Sequence, residues 1–199
     1  MIGTLFDTML AQPSFFPRFF GLLAFFFAGL TLEIGIFRRQ LFSRFPRTLV
    51  IKVHSIIGLF ALVFSIMHII AVFKDAEGWA ESLSIWQALF PDFSGTLEIS
   101  ISLGLIGLYM LIITILSGAL FTWISKRLGH KVWLMIHRGS FVFYLLIFFH
   151  ALRIGTDFSN PYFVVFFGHV IIAFFGYILL RAVPIRLKER LTGIFKKRE

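Results

Sequence analysis

Long apolar segments alternate with short charged segments along most of the chain. Five predominantly apolar runs lie at 16–37, 49–73, 97–124, 132–153 and 161–181. A helical run of about 20 apolar residues is long enough to span the hydrocarbon core of a bilayer. The pattern therefore predicts an all-α integral membrane protein, a bundle of five transmembrane helices within residues 16–181. Residues 1–15 are expected to form a short interfacial segment and residues 182–199 a basic tail.

The composition supports a membrane protein and excludes a soluble one. Hydrophobic residues make up 58% of the 199 residues, and the mean hydropathy is +0.90, well above the range of soluble domains. The net charge of +9 would suit a nucleic-acid-binding protein. However, only 15% of the residues are charged, so no nucleic acid is expected and the expected surroundings are membrane lipid.

The positions of the basic residues predict the orientation of the chain in the membrane. Most Lys and Arg residues lie in 38–52, 126–131 and 181–198, whereas Arg18, Lys74 and Arg153 are the basic residues on the opposite side. Basic loops stay on the cytoplasmic side of a membrane. We therefore expect a multi-pass protein of the cell (inner) membrane, with its N-terminus outside and its C-terminal tail in the cytoplasm.

Four histidines form two pairs that are matched in depth. His54 and His68 are 14 residues apart in the second apolar run, and His137 and His150 are 13 apart in the fourth. Because both runs cross the membrane in the same direction, His54 and His137 are expected near the cytoplasmic face and His68 and His150 near the outer face. A rise of 1.5 Å per residue separates the two levels by about 20 Å.

This arrangement suits two b-type haems, because such a haem takes two neutral imidazoles on opposite faces of its iron. The chain has no Cys, which excludes covalent c-type attachment, cysteine-ligated iron–sulfur clusters and disulfides. Fourteen helical residues return to within about 40° of the starting face, but thirteen miss it by about 140°. The fourth helix is therefore expected either to be distorted, with Gly139 as a candidate position, or to offer its two histidines at different azimuths.

The histidines also have a plainer interpretation, since a single histidine within a membrane often forms a helix-packing hydrogen bond. We favour that interpretation for His169 in the fifth run, with a place near the outer haem or on a proton path as the alternative. His130 is expected to be a solvated loop residue. The two depth-matched pairs favour a functional site instead.

Basic side chains beside the ligands are candidates for binding the haem propionates. Lys52 and Arg138 flank the inner pair, and Arg153 follows His150 by three residues. Ordinary anchoring at the cytoplasmic interface is the alternative for Lys52 and Arg138. Arg153 could also attract an anionic acceptor.

One block of sequence resembles a known family. The residues RLGHKVWLMIHR at 127–138, followed by Phe143-Tyr144 and His150, are similar to a motif of the ferric reductase-like transmembrane domain superfamily. This superfamily includes the membrane domains of NADPH oxidases and metalloreductases and the MsrQ/YedZ-type haem subunit of methionine sulfoxide reductase systems. The resemblance covers about residues 45–155 and implies two haem b groups and transmembrane electron transfer. Six helices are usual in the family, whereas five are predicted here.

The expected function is that of a cytochrome b-like oxidoreductase component. No G-x-G-x-x-G fingerprint is present, so the electrons are expected from a separate donor. That donor is a cytoplasmic flavin reductase carrying FAD or FMN, or membrane quinol. The acceptor is oxygen, a ferric chelate or an extracytoplasmic redox partner.

Three other functions remain open at this stage. The first is the haem subunit of a methionine sulfoxide reductase system, although the presence of His54 favours the two-haem reductase pattern. The second is a transporter in which the histidines bind a metal ion or relay protons. The third is a structural membrane anchor for a redox partner.

Overall fold

A computed structural model of the protein describes residues 15–74, 86 and 89–155, which belong to one compact unit. The described residues are helical apart from short turns, and they contain no strand. The predicted helix at 161–181 with His169, the interfacial segment up to residue 14 and the tail at 182–199 lie outside the described residues.

The helices follow one another closely in the chain. They are α1 (Phe15–Ile36), α2 (Arg38–Arg44), α3 (Arg47–Lys74), α4 (Thr96–Ala119), α5 (Phe121–Arg127), α6 (His130–Arg138) and α7 (Ser140–Ile154). Four stretches are long and apolar enough to cross a membrane: α1, α3, α4, and α6 together with α7. They correspond to the first four predicted runs, so the protein is an all-helical, multi-pass membrane protein.

Two short helices were not predicted. α2 occupies part of the charged segment after α1, and α5 follows α4, which ends at Ala119 instead of continuing to residue 124. Phe45 has an extended backbone, with φ −131° and ψ 152°, because a residue before proline disfavours helical geometry. Pro46 therefore separates α2 from α3.

The expected distortion of the fourth predicted helix lies at Gly139, where α6 ends and α7 begins. The Gly139 N–H bonds the Ile136 carbonyl at 3.0 Å in addition to the Met135 carbonyl at 3.2 Å. The Gly139 carbonyl accepts from the Val142 N–H at 2.9 Å in addition to the Phe143 N–H at 3.0 Å. These i→i−3 bonds are typical of a 3₁₀ turn, which rotates the chain further per residue than an α-helix does. The tightened turn thus offsets part of the misfit of a 13-residue spacing.

The helices pack mainly in two groups. The largest contacts are between α1 and α3 and between α4 and α7, and smaller ones join α3 to α4 and α1 to α7. We call α1–α3 the first half and α4–α7 the second half. The outward face of α3 is apolar along its length and includes Ile51, Ile56, Leu59, Val63, Ile66 and Ile70. A helix that is apolar on all sides is expected where lipid replaces water.

Gly107 allows α4 and α7 to approach closely. A Cβ atom at this position would lie 2.6 Å from Cγ2 of Ile147 and 3.7 Å from the backbone nitrogen of the same residue. The methyl group belongs to a β-branched side chain with few alternative rotamers. Small residues have this role at helix contacts in membranes.

We expect Gly107→Ala to destabilise the second half, because Ile147 must shift to accept the added methyl group. Overpacking of this kind typically costs about 1–3 kcal/mol. Thermal unfolding of the detergent-purified protein measures the effect. Gly58→Ala is the matched control, since its Cβ would lie 3.5 Å from Cγ2 of Thr31, an ordinary contact. Equal stability of the two variants would contradict this account.

Candidate functional site

The four intramembrane histidines meet in two pairs, each joining the two halves. The His54 ring on α3 faces the His137 ring on α6, with centroids 6.1 Å apart and planes at 56°. The His68 ring on α3 faces the His150 ring on α7 at 6.3 Å and 84°. We call the first the basic-end pair, since it lies towards the ends of the helices that carry most of the described Lys and Arg residues. The second is the far-end pair.

Each histidine is held through Nδ1 by a helix packed beside it. α1 supplies the oxygens for the two histidines of α3, and α4 supplies those for His137 and His150. The bonds run from His54 to the Thr31 carbonyl (3.1 Å), from His68 to the Pro17 carbonyl (2.7 Å), from His150 to the Ser100 carbonyl (2.8 Å) and from His137 to the Ser117 hydroxyl (3.1 Å).

These partners determine the tautomer of every ring. A carbonyl oxygen only accepts, so Nδ1 must carry the proton in the three rings that bond a carbonyl. The Ser117 hydroxyl donates its own proton to the Thr114 carbonyl at 2.7 Å, so its oxygen accepts from His137. In its neutral form each ring then has its lone pair on Nε2. This is the form in which histidine binds a metal, with its other nitrogen bonded to a neighbouring oxygen.

The separation of the rings fits one metal between the two members of a pair. A first-row metal binds an imidazole nitrogen at about 2.0–2.1 Å, and the ring centre lies about 1.1 Å further away, so two opposed imidazoles have centres about 6.3 Å apart. The observed separations are 6.1 and 6.3 Å. Both pairs therefore fit the axial ligation of a haem iron.

A glycine of the neighbouring helix lies against each histidine ring. Measured from a Cβ atom placed on the glycine, the distances are 3.0 Å from Gly21 to His68, 2.7 Å from Gly104 to His150, 3.5 Å from Gly35 to His54 and 3.7 Å from Gly118 to His137. A methyl group at Gly104 would force the His150 ring to move, and one at Gly21 would push the His68 ring by a few tenths of an ångström, whereas the contacts of the basic-end pair leave room for a methyl group.

These positions reveal an internal repeat. Equivalent residues of the two halves are 83 positions apart: Pro17 and Ser100, Gly21 and Gly104, Thr31 and Thr114, Gly35 and Gly118, His54 and His137. The last pair, His68 and His150, is 82 apart, and the missing residue falls in the stretch that contains the tightened turn at Gly139. The equal spacing of Gly21 to Gly35 and of Gly104 to Gly118, 14 residues each, was the signal in the sequence, and our sequence analysis missed it.

The three predicted basic residues lie at the surface, and a fourth basic residue acts on the basic-end pair. Lys52, Arg138 and Arg153 are all exposed. Arg38, at the start of α2, lies close enough to act electrostatically on both His54 and His137. The sequence analysis placed Arg38 in the basic segment after the first span and did not connect it with the histidines.

An aromatic stack connects the basic-end pair with the surface. The Trp133 ring stacks on His137 with centroids 5.2 Å apart and planes at 14°. His130 stacks on the other side at 5.2 Å and 28°. His130 is exposed, as predicted, but it is the first residue of α6 and not a loop residue. Trp133 is held by a bond of 2.9 Å from Nε1 to the Ser117 carbonyl.

A buried tyrosine lies between the two histidines of the second half in the chain. Tyr144 is 3% exposed, and its ring centroid is 4.7 Å from that of Phe25. Its hydroxyl has no hydrogen-bond partner within the described part of the chain. A buried polar atom of this kind is expected where a bound group or an ordered water supplies the partner.

The donor set at each level consists of two histidines. Across residues 15–74, 86 and 89–155, no three or more His, Cys, Asp or Glu side chains come together to hold a metal ion. A haem iron needs only two ligands from the protein, since the porphyrin supplies the others.

The chain matches no family model, no curated protein and no solved structure. The ferric reductase-like resemblance thus stays a prediction carried by the residues named above.

We expect Gly104→Ala to weaken binding at the far-end pair, because the added methyl group would displace the His150 ring. Gly118→Ala is the matched control at the equivalent position of the basic-end pair, where the methyl group fits. The measurement is haem per chain after purification from a haem-replete host. The expected result is loss of about half of the haem in Gly104→Ala and full occupancy in Gly118→Ala, and the reverse order would contradict the geometry.

Proposed function

We propose that this protein is a transmembrane electron-transfer subunit of the ferric reductase-like class, with two b-type haems. The observation that carries the proposal is the pair of imidazole rings, with centroids 6.1 and 6.3 Å apart, at each of two levels of the bundle. His54 and His137 would hold one haem, and His68 and His150 the other.

A bound haem supplies a one-electron Fe³⁺/Fe²⁺ couple. The protein's residues orient the ligands and create the surroundings of that couple. Oxygen atoms of α1 and α4 hold the rings through Nδ1, which would leave Nε2 to bind the iron, and the glycines let those rings lie against the helix backbone. Arg38 is the described residue best placed to neutralise a propionate of the haem at the basic end.

The two levels support transfer across a membrane. His54 and His68 are 14 residues apart on one continuous helix, which corresponds to about 20 Å along the helix axis. The two sites together therefore cover much of the hydrocarbon thickness of about 30 Å. One site alone would leave an electron far from one surface.

Electrons would enter at the basic end. The positive-inside rule favours the cytoplasm for that end, and the His130–Trp133–His137 stack leads from an exposed ring to a proposed ligand. The exposed Lys126, Arg127 and Lys131 surround the outer member of this stack in sequence. Such a surface attracts an acidic flavoprotein donor carrying FAD or FMN by charge complementarity, and quinol is the alternative donor. An extracytoplasmic acceptor would receive the electron at the far end.

Haem binding is tested by a reduced-minus-oxidised visible spectrum with haem quantified per chain. We expect two b-type haems in the wild type and one in each of His68→Ala and His137→Ala, because each variant removes one ligand from one pair. His130→Ala is the matched control, since it removes an exposed histidine and should keep both haems.

A wild-type protein that binds no haem in a haem-replete host would overturn the proposal. A metal or proton transporter would then become the leading function, and binding of Zn²⁺ or a dependence on a cation gradient would support it. Loss of both haems in both single variants would instead contradict the assignment of separate pairs.

Electron transfer across a bilayer is tested in liposomes that contain the protein and trapped ferricyanide. External dithionite should reduce the trapped ferricyanide in the presence of wild-type protein. His68→Ala should slow this reaction to nearly the rate of protein-free liposomes, because a single remaining haem leaves one side of the membrane out of reach. A His68→Ala protein that retains one haem and the full rate would contradict transfer through both levels.

A further inference from the structure

Ser117 gives His137 a different hydrogen-bond partner from those of the other three histidines. His54, His68 and His150 each donate directly to a backbone carbonyl. His137 donates to the Ser117 hydroxyl, which in turn donates to the carbonyl of Thr114. Ser117 is 2% exposed, so water does not compete for these bonds.

The internal repeat shows that Ser117 adds a polar group that the equivalent position of the first half lacks. Thr114 is the repeat equivalent of Thr31, whose carbonyl accepts directly from His54. The Thr114 carbonyl and Nδ1 of His137 share the Ser117 hydroxyl as a hydrogen-bond partner, at 2.7 and 3.1 Å. The position equivalent to Ser117 in the first half is Ile34, which has no hydroxyl. The two ligands of one proposed haem thus differ by a single polar group.

We propose that Ser117 is a positioning residue that raises the reduction potential of the basic-end haem. This inference rests on the haem binding proposed above. A carbonyl is a stronger acceptor than a hydroxyl, and a strongly bonded N–H makes the imidazole a more basic ligand. A more basic ligand stabilises Fe³⁺ over Fe²⁺. The hydroxyl therefore makes the basic-end haem easier to reduce than a direct bond to Thr114 would.

The raised potential favours the first step of the proposed transfer. The haem that receives an electron from a donor at the basic end accepts it more readily when its ligand is less basic. The far-end pair has carbonyl partners on both histidines, at 2.7 and 2.8 Å. The two halves therefore differ at the haem that would receive the electron from the donor, where one histidine has a hydroxyl partner.

A redox titration in the His68→Ala background isolates the effect, because only the basic-end haem should remain there. Adding Ser117→Ala lets His137 bond the Thr114 carbonyl directly. The expected result is an unchanged haem content and a lower midpoint potential. The expected shift is about tenfold in the reduction equilibrium, which corresponds to about 59 mV for one electron. Ile34→Ser should shift the potential in the opposite direction, since it places a hydroxyl beside His54.

Ser102→Ala in the same background is the control. Ser102 is also a buried serine of α4 and is also 2% exposed, but its hydroxyl bonds the backbone of Asp92. It should leave the potential unchanged. A Ser117→Ala protein that titrates like its parent, or one that loses the basic-end haem, would overturn the inference. Absence of haem from the wild type would instead mean that the proposed function itself fails.

Discussion

The need to bond four buried imidazole N–H groups determines much of this bundle. An unpaired N–H in the hydrocarbon region costs several kcal/mol, and here α1 and α4 supply an oxygen for each one. Because three of those oxygens belong to the backbone, the rings must lie directly against the helices that carry them. Glycines at the contact positions follow from this, most strictly Gly21 and Gly104. The same bonds leave Nε2 of every ring as the available ligand atom.

The sequence predicts those features that depend on length and period. Apolar runs predict the four described spans, and the depth of the histidines predicts how they pair. The 13-residue spacing predicts a distortion, which lies at Gly139. Features that depend on backbone atoms or on short polar helices were missed. Nothing in the sequence indicates that the Pro17 carbonyl bonds His68 or that Arg38, at the start of α2, acts electrostatically on His54.

The repeat shows how a bundle tolerates the loss of one residue between the two histidines of one half. His68 and His150 would be exact equivalents if the second half had one more residue after His137. The i→i−3 bonds around Gly139 add rotation and rise at that point. As a result, the ring separations at the two levels, 6.1 and 6.3 Å, stay nearly equal. The spacing between ligands along a helix is thus less constrained than the distance between opposed rings.

The pairing of histidines from different halves has a consequence for how the protein is assembled. Most helix contacts lie within a half, and those between the halves are smaller. A haem that binds between them could enter only after both halves have met, and it would then join them by two metal bonds. Haem binding would then be the last step of assembly. Chains without haem would keep only the smaller contacts between the halves and would be more open to proteases.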